Sequence, residues 1–161
     1  MVSRFRRSVV VTCGVAMLLT GCATVPLASK ADDQRAKEFK APDSKCRVYC
    51  YRPYKFAGSA IKLPVILNGK RRVELAPNTF TYFDVPPGPH TVATFSRDPV
   101  FGTVFPIKLN IQPGEVIFLW HGSKVSGGGF AARLIREDEE VAKRKMRGCR
   151  LVQATLDVGR E

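Results

Sequence analysis

Two histidines, His90 and His121, and the three cysteines beyond residue 45, Cys46, Cys50 and Cys149, are the side chains whose types could carry chemistry. A thiol beside an imidazole is the arrangement for nucleophilic catalysis, because the imidazole takes the thiol proton and the thiolate attacks. Cys50 with His90 or His121 would supply that pair. Against it, neither cysteine of Cys46-Arg-Val-Tyr-Cys50 lies in an activating motif, and a single histidine with no carboxylate pattern around it defines no acid–base site. His90 follows Pro86-Pro87-Gly88-Pro89 at the start of a β-rich run, where its ring can cap the turn or pair across strands, so a structural role is expected. His121 follows Trp120 at the end of another run. Two histidines without an acidic cluster at ligand spacing predict no metal site, and no cofactor motif is present. Gly127-Gly128-Gly129 lacks the Lys-Ser/Thr ending of a phosphate loop and reads as a hairpin connection. Tyr54, Lys55 and Phe56 sit in a loop after Pro53, where two aromatics and a cation could grip a partner or fold over the open end of a core.

Cys22 is a cysteine of a different kind. Arg4, Arg6 and Arg7 precede an apolar run from Val9 to Leu19, which ends in Leu19-Thr20-Gly21-Cys22. The run has the length of a signal-peptide h-region and is short for a membrane-spanning helix. The string resembles a bacterial lipoprotein lipobox. That resemblance implies acylation of the Cys22 thiol, cleavage before Cys22 and acylation of the new amino terminus. Several acyl chains on one residue give a stable anchor where one chain does not. Ala rather than Asp at position 23 implies, by the same resemblance, the outer membrane, with the domain facing the periplasm.

Cleavage before Cys22 leaves 140 of the 161 residues, the length of one domain with one core. Loss of Arg4, Arg6 and Arg7 lowers the basic residues from 26 to 23 against 14 acidic, a net charge of +9. A basic surface in an envelope attracts anionic headgroups and glycans, so membrane lipid, an anionic glycan or an envelope protein are the expected partners. Export and the lack of any helix-turn-helix, zinc-finger or ribonucleoprotein pattern argue against nucleic acid. An oxidising compartment favours cysteine pairing. Cys46 and Cys50 are four apart on an expected strand, too far for a bridge to each other, so Cys149 is the common partner. Cys46–Cys149 is the expected disulfide and Cys50–Cys149 the alternative.

The elements that must position these residues read as β from Cys46 to Arg136. Cys46 to Arg52 is β-rich and stops at Pro53. Leu63–Leu67 and Arg71–Leu75 flank Asn68-Gly69, a strong hairpin signal because a type I′ turn needs positive φ at both central residues. Thr79 to Val85 alternates, with Thr81, Phe83 and Val85 on one face and Phe80 and Tyr82 on the other. His90–Phe95 returns after the Pro-Pro-Gly turn, and Phe105, Ile107, Leu109 and Ile111 share the face of a further strand. Pro113-Gly114 leads into Val116–Trp120, and Phe130–Ile135 follows the triglycine. Seven or eight short strands at this spacing predict an antiparallel β-sandwich. Glu137–Arg147 runs acidic to basic and predicts one C-terminal helix, followed by a short strand or extended tail from Cys149 to Leu156. Residues 22–45, bracketed by Pro26 and Pro42, read as a lipidated tether with at most a short helix, averaging about 25 Å as a flexible coil. The expected domains are therefore 1–21 signal peptide, 22–45 tether and 46–161 sandwich with helix and tail.

Val48-Tyr-Cys-Tyr-Arg-Pro53, Gly58-Ser59-Ala60, Pro64-Val-Ile-Leu-Asn-Gly69 and Tyr82-Phe-Asp-Val-Pro-Pro-Gly-Pro-His-Thr-Val92 resemble bacterial lipoproteins catalogued as a domain of unknown function. Val65 to Phe95 is also similar to PEGA domains, small β-sandwich modules of surface and envelope proteins. The resemblance implies a lipid-anchored, all-β, non-enzymatic domain and supplies no substrate or catalytic residue; the expected function is a binding or scaffold module at the membrane surface, the alternatives being a thiol–histidine enzyme and a structural spacer between outer membrane and cell wall.

Overall fold

Strand β1, Cys46–Arg52, alternates Cys46, Val48, Cys50 and Arg52 against Arg47, Tyr49 and Tyr51, and every residue but Arg47 is buried. A strand buried on both faces needs cover on both, and this requirement organises the molecule. The computed structural model describes residues 23–55, 59–95, 106–126 and 129–153. Pro53, which has no N–H for a ladder, ends β1. β2, Leu63–Leu67, and β3, Lys70–Leu75, form the expected hairpin, with Asn68 at φ 49° and Gly69 at φ 77°. β4 is Thr79–Val85, β5 Gly88–Ala93, β6 Ile107–Ile111, β7 Val116–Ser126 and β8 Gly129–Glu137. A two-residue strand β9, Arg150–Leu151, follows the C-terminal helix.

The strands form two sheets, β8-β7-β1-β4-β9 and β3-β2-β5-β6, packed as a sandwich. The arrangement is mainly β, as expected, with nine strands among the described residues. It is not wholly antiparallel: β1 pairs parallel to β7, and β4 parallel to β9. The Gln112–Glu115 turn is the reason for the first. It closes where β1 begins, with Arg47 N–H donating to Glu115 O at 3.0 Å, so β7 leaves in the direction of β1.

Between the sheets lie Cys46, Val48, Cys50, Val65, Leu75, Phe83, Val85, Leu109, Ile111, Ile117 and Leu119, with Ile107 partly buried against them. The expected inward face is thus occupied as read. Phe105 lies outside the described residues. A second cluster covers the outer face of the five-stranded sheet: Tyr49, Tyr51, Phe80, Phe118, Met146, Cys149 and Leu151. Its cover comes from two helices. α2, Glu139–Met146, is capped by Asp138, whose carboxylate accepts from the N–H groups of Glu140 and Val141. α1, Lys30–Ala36, is capped by Ser29.

α1 lies in the segment expected to be a tether, and that expectation needs correction. Ala36 is buried in the outer cluster, and the Phe39 ring stands 5.4 Å from Tyr49 and 5.8 Å from Phe118. Asp33 is buried and accepts from Leu151 N–H at 2.7 Å and Lys37 Nζ at 2.9 Å. Leu27 bridges Val152, and Ala28 N–H donates to Leu151 O at 2.9 Å. Residues 23–45 are part of the domain because the aromatic outer face of β1, β4 and β7 would otherwise meet water.

Candidate functional site

The parity of β1 carries Arg52 to the inward face at the end of the strand, among apolar neighbours. Its guanidinium is buried and donates to the carbonyls of Ile61 at 2.6 Å and Leu75 at 3.0 Å. Burial pushes its pKa down. These bonds tie the end of β1 to Ile61 and to the end of β3. Lys55 Nζ sits 4.6 Å from the Trp120 ring centroid and Lys145 Nζ 5.1 Å from it, two cations on one indole. The ring covers Gly122, where an added Cβ would come within 3.1 Å of it. Lys145 also pairs with Glu137, which accepts from the Tyr51 hydroxyl. Tyr54 is 57% exposed and Ile61 46% exposed. Phe56 lies outside the described residues. Ala23 N–H donates to Ser59 O at 3.3 Å, so the first residue after Cys22 is fastened to this loop; Cys22 itself lies outside the described residues.

His121 enters the same end from β7, where the parity of Ile117 and Leu119 turns it between the sheets. It is 4% exposed, and neither ring nitrogen has a hydrogen-bond partner among the described residues. Burial, then the Arg52 charge, lowers its pKa to about 3. His90 is held differently. Its Nε2–H donates to Pro86 O at 2.8 Å, and its Nδ1 accepts from Asn68 Nδ2 at 3.0 Å. The Asn68 Oδ1 accepts from Thr91 N–H, so the imidazole ties the β2–β3 turn to β5.

Cys50 lies opposite Leu119 on β7, one inward position before His121. Cys46, Cys50 and Cys149 are buried free thiols. Cys46 Sγ donates to Gln112 O at 2.9 Å. Burial pushes the Cys50 thiol up, and pushes Cys149 up to about 12. Neither expected bridge, Cys46–Cys149 nor Cys50–Cys149, is formed. Cys46 and Cys50 point between the sheets, whereas Cys149 packs in the outer cluster across the sheet from them. No hydrogen bond joins Cys50 to either imidazole among the described residues. No group of three or more His, Cys, Asp or Glu at metal-binding spacing occurs among them either.

A shallow groove of about 390 Å³ opens at the other end of β1, lined by Asp32, Arg35, Glu38, Lys40, Arg47 and Tyr82. Arg47 lies 4.2 Å from the Tyr82 ring centroid and forks onto both Asp84 oxygens at 2.6 and 2.8 Å. Sequence reasoning passed over this groove, since most of its wall is the segment read as a tether. It also passed over Arg52, although a charge at the inward position after Cys46, Val48 and Cys50 was a visible signal.

Residues 42–129 match the family model described as Protein of unknown function (DUF2846). The chain belongs to this family. A DUF2846 match over those residues takes in β1 to β7, with the loop 53–62, Arg52 and His121, and leaves α1, α2 and β9 outside it. The chain is also similar to a protein of Haemophilus influenzae (strain ATCC 51907 / DSM 11121 / KW20 / Rd) that bears the description "Uncharacterized protein", 39% identical over 85 residues. That alignment covers 52% of this chain and 50% of the relative, so the chain spans about half the length of the curated relative it matches.

Proposed function

We propose that this DUF2846 chain is an envelope lipoprotein, cleaved before Cys22 and acylated there, whose sandwich works as a non-enzymatic binding or scaffold module at the membrane surface. The outer membrane, with the domain toward the periplasm, is its expected site. The observation that carries the reading is the junction: Leu19-Thr20-Gly21-Cys22 stands immediately before Ala23, whose N–H donates to Ser59 O in the domain. A processed chain would start at its anchor with no spare residues. The likeness to PEGA modules fits the same role. So does the use of the reactive side chains, since Cys50 and Cys149 are buried with raised pKa values and His90 is spent on a turn. Among the described residues no helix is long and apolar enough to cross a membrane, and an acyl anchor would need none. An anionic glycan or envelope protein is the proposed partner, with the Arg47–Tyr82 groove as the surface offered to it. Metabolic labelling with an alkyne fatty acid tests the anchor: wild type takes the label, and Cys22→Ser stays unlabelled and unprocessed. Equal labelling of both would refute it. Crosslinking in native membranes, followed by identification of the captured molecule, tests the module.

A further inference from the structure

The two ends of the sandwich differ in what they present. Where β1 finishes, the segment Pro53–Lys62 contains two lysines, two aromatics and no acid. Its exposed residues include Tyr54, Lys55, Ile61 and Lys62. α2 points the same way: its acidic first turn lies toward the start of β1, and its basic last turn toward the finish. Lys145 reaches Trp120 beside Lys55, and Cys149 Sγ lies 3.9 Å from Arg52 O, so the exposed Arg147 belongs to this end as well. At the start of β1 the charges balance instead: Asp84 pairs with Arg47, Glu115 with Arg136, and Asp43 lies between Lys40 and Lys45 in the chain. The chain that leads to the anchor emerges at the basic, aromatic end. Ala23 is bonded to Ser59, Val25 packs on the inter-sheet core, and Pro26 O accepts from Gln153 N–H at 2.9 Å. Residue 22 is one Cα step, about 3.8 Å, beyond Ala23.

We propose that the end of the sandwich at which β1 finishes is the membrane-facing surface of the domain, with Tyr54 and Ile61 seated in the interface of the leaflet that holds the Cys22 acyl chains and Lys55, Lys62 and Arg147 on its anionic headgroups. The proposal rests on acylation of Cys22 as read above. An amphipathic tyrosine is at home at headgroup depth, and each basic residue near an anionic leaflet adds attraction. A free tether would let the domain tumble, whereas the docked segment 23–28 leaves no slack. The strands then stand away from the bilayer, and the Arg47–Tyr82 groove opens on the far side, about 20 Å out by the rise of a seven-residue strand.

The test uses full-length protein purified from membranes and reconstituted in vesicles of phosphatidylethanolamine and phosphatidylglycerol. An environment-sensitive fluorophore is attached through Tyr54→Cys, Ile61→Cys or, at the opposite end, Asn110→Cys; all three positions are exposed, and the native thiols are buried. The labels at 54 and 61 should shift to the blue and be several-fold less accessible to aqueous iodide than the label at 110. Lys55→Glu with Lys62→Glu should restore iodide access at 54. Mass spectrometry of the same preparation reads the acyl chains. If they are absent, the anchor reading fails and takes this surface with it. If they are present while 54 and 61 are quenched as fully as 110, or while 110 alone is protected, the surface is overturned and the anchor stands.

Discussion

His121 lies between the sheets beside Arg52, with neither ring nitrogen partnered, and its pKa falls from 6.5 to about 3. The unfolded chain takes up a proton there below about pH 6.5, and the folded chain does not until about pH 3. Stability at this site is therefore complete above pH 6.5 and is lost as the pH falls through the window. At about 1.4 kcal/mol per pH unit the loss is about 3 kcal/mol at pH 4 and approaches about 5 kcal/mol below pH 3. That is a large share of the roughly 5–15 kcal/mol of an ordinary domain. Carboxylates also titrate in this range, so the comparison is with His121→Leu, which keeps bulk, removes the titration and leaves every carboxylate in place. Urea unfolding of both proteins at pH 7.5, 5.5 and 4 is the assay. At pH 7.5 the two should lie within about 1–2 kcal/mol of each other, since replacing an unpartnered buried polar group costs little. At pH 4 the variant should be ahead by a further 3 kcal/mol or so. Parallel stability curves from pH 7.5 to 4 would refute the reasoning, because they would mean that His121 is hydrated or partnered in the folded protein.

Phe83→Ala or Ile111→Ala should cost about 2–5 kcal/mol through lost burial and a cavity between the sheets, read by denaturant unfolding, and a cost under about 1 kcal/mol at both would mean the inward face is misassigned. Asp33→Ala strips Leu151 N–H of its acceptor and should cost about 1–3 kcal/mol while opening residues 23–45 to protease; unchanged proteolysis would show that this segment is not held by the carboxylate. Cys46, Cys50 and Cys149 should resist maleimide in the folded protein and all react in denaturant without reductant, whereas a pair that reacts only after reduction would restore the disulfide.

Much of the β architecture is legible in the chain because its signals are local. Alternation in Thr79–Val85 names the two faces of β4, Asn68-Gly69 names a turn that only positive φ can make, and the acidic-to-basic run from Glu137 names a helix. Tyr54 and Lys55 could be singled out for the same reason, as exposed types after a strand-ending proline. Other decisions depend on surfaces that meet only after folding. The seven residues of α1 have too little periodicity to declare a buried face; what holds them is the aromatic outer face of β1, β4 and β7 and a bond from Asp33 to a backbone N–H 118 positions away. Cysteine number and spacing suggested a bridge that the sheet forbids, because strand parity sends Cys46 and Cys50 to one side and the helix return leaves Cys149 on the other. The parallel pairing of β1 with β7, the meeting of Arg52 with His121, and the placing of Ala23 against Ser59 have no local signature either. Periodicity fixes which way a side chain points from its own strand; what it then meets is set by packing between elements far apart in the chain, where burial outweighs local preference.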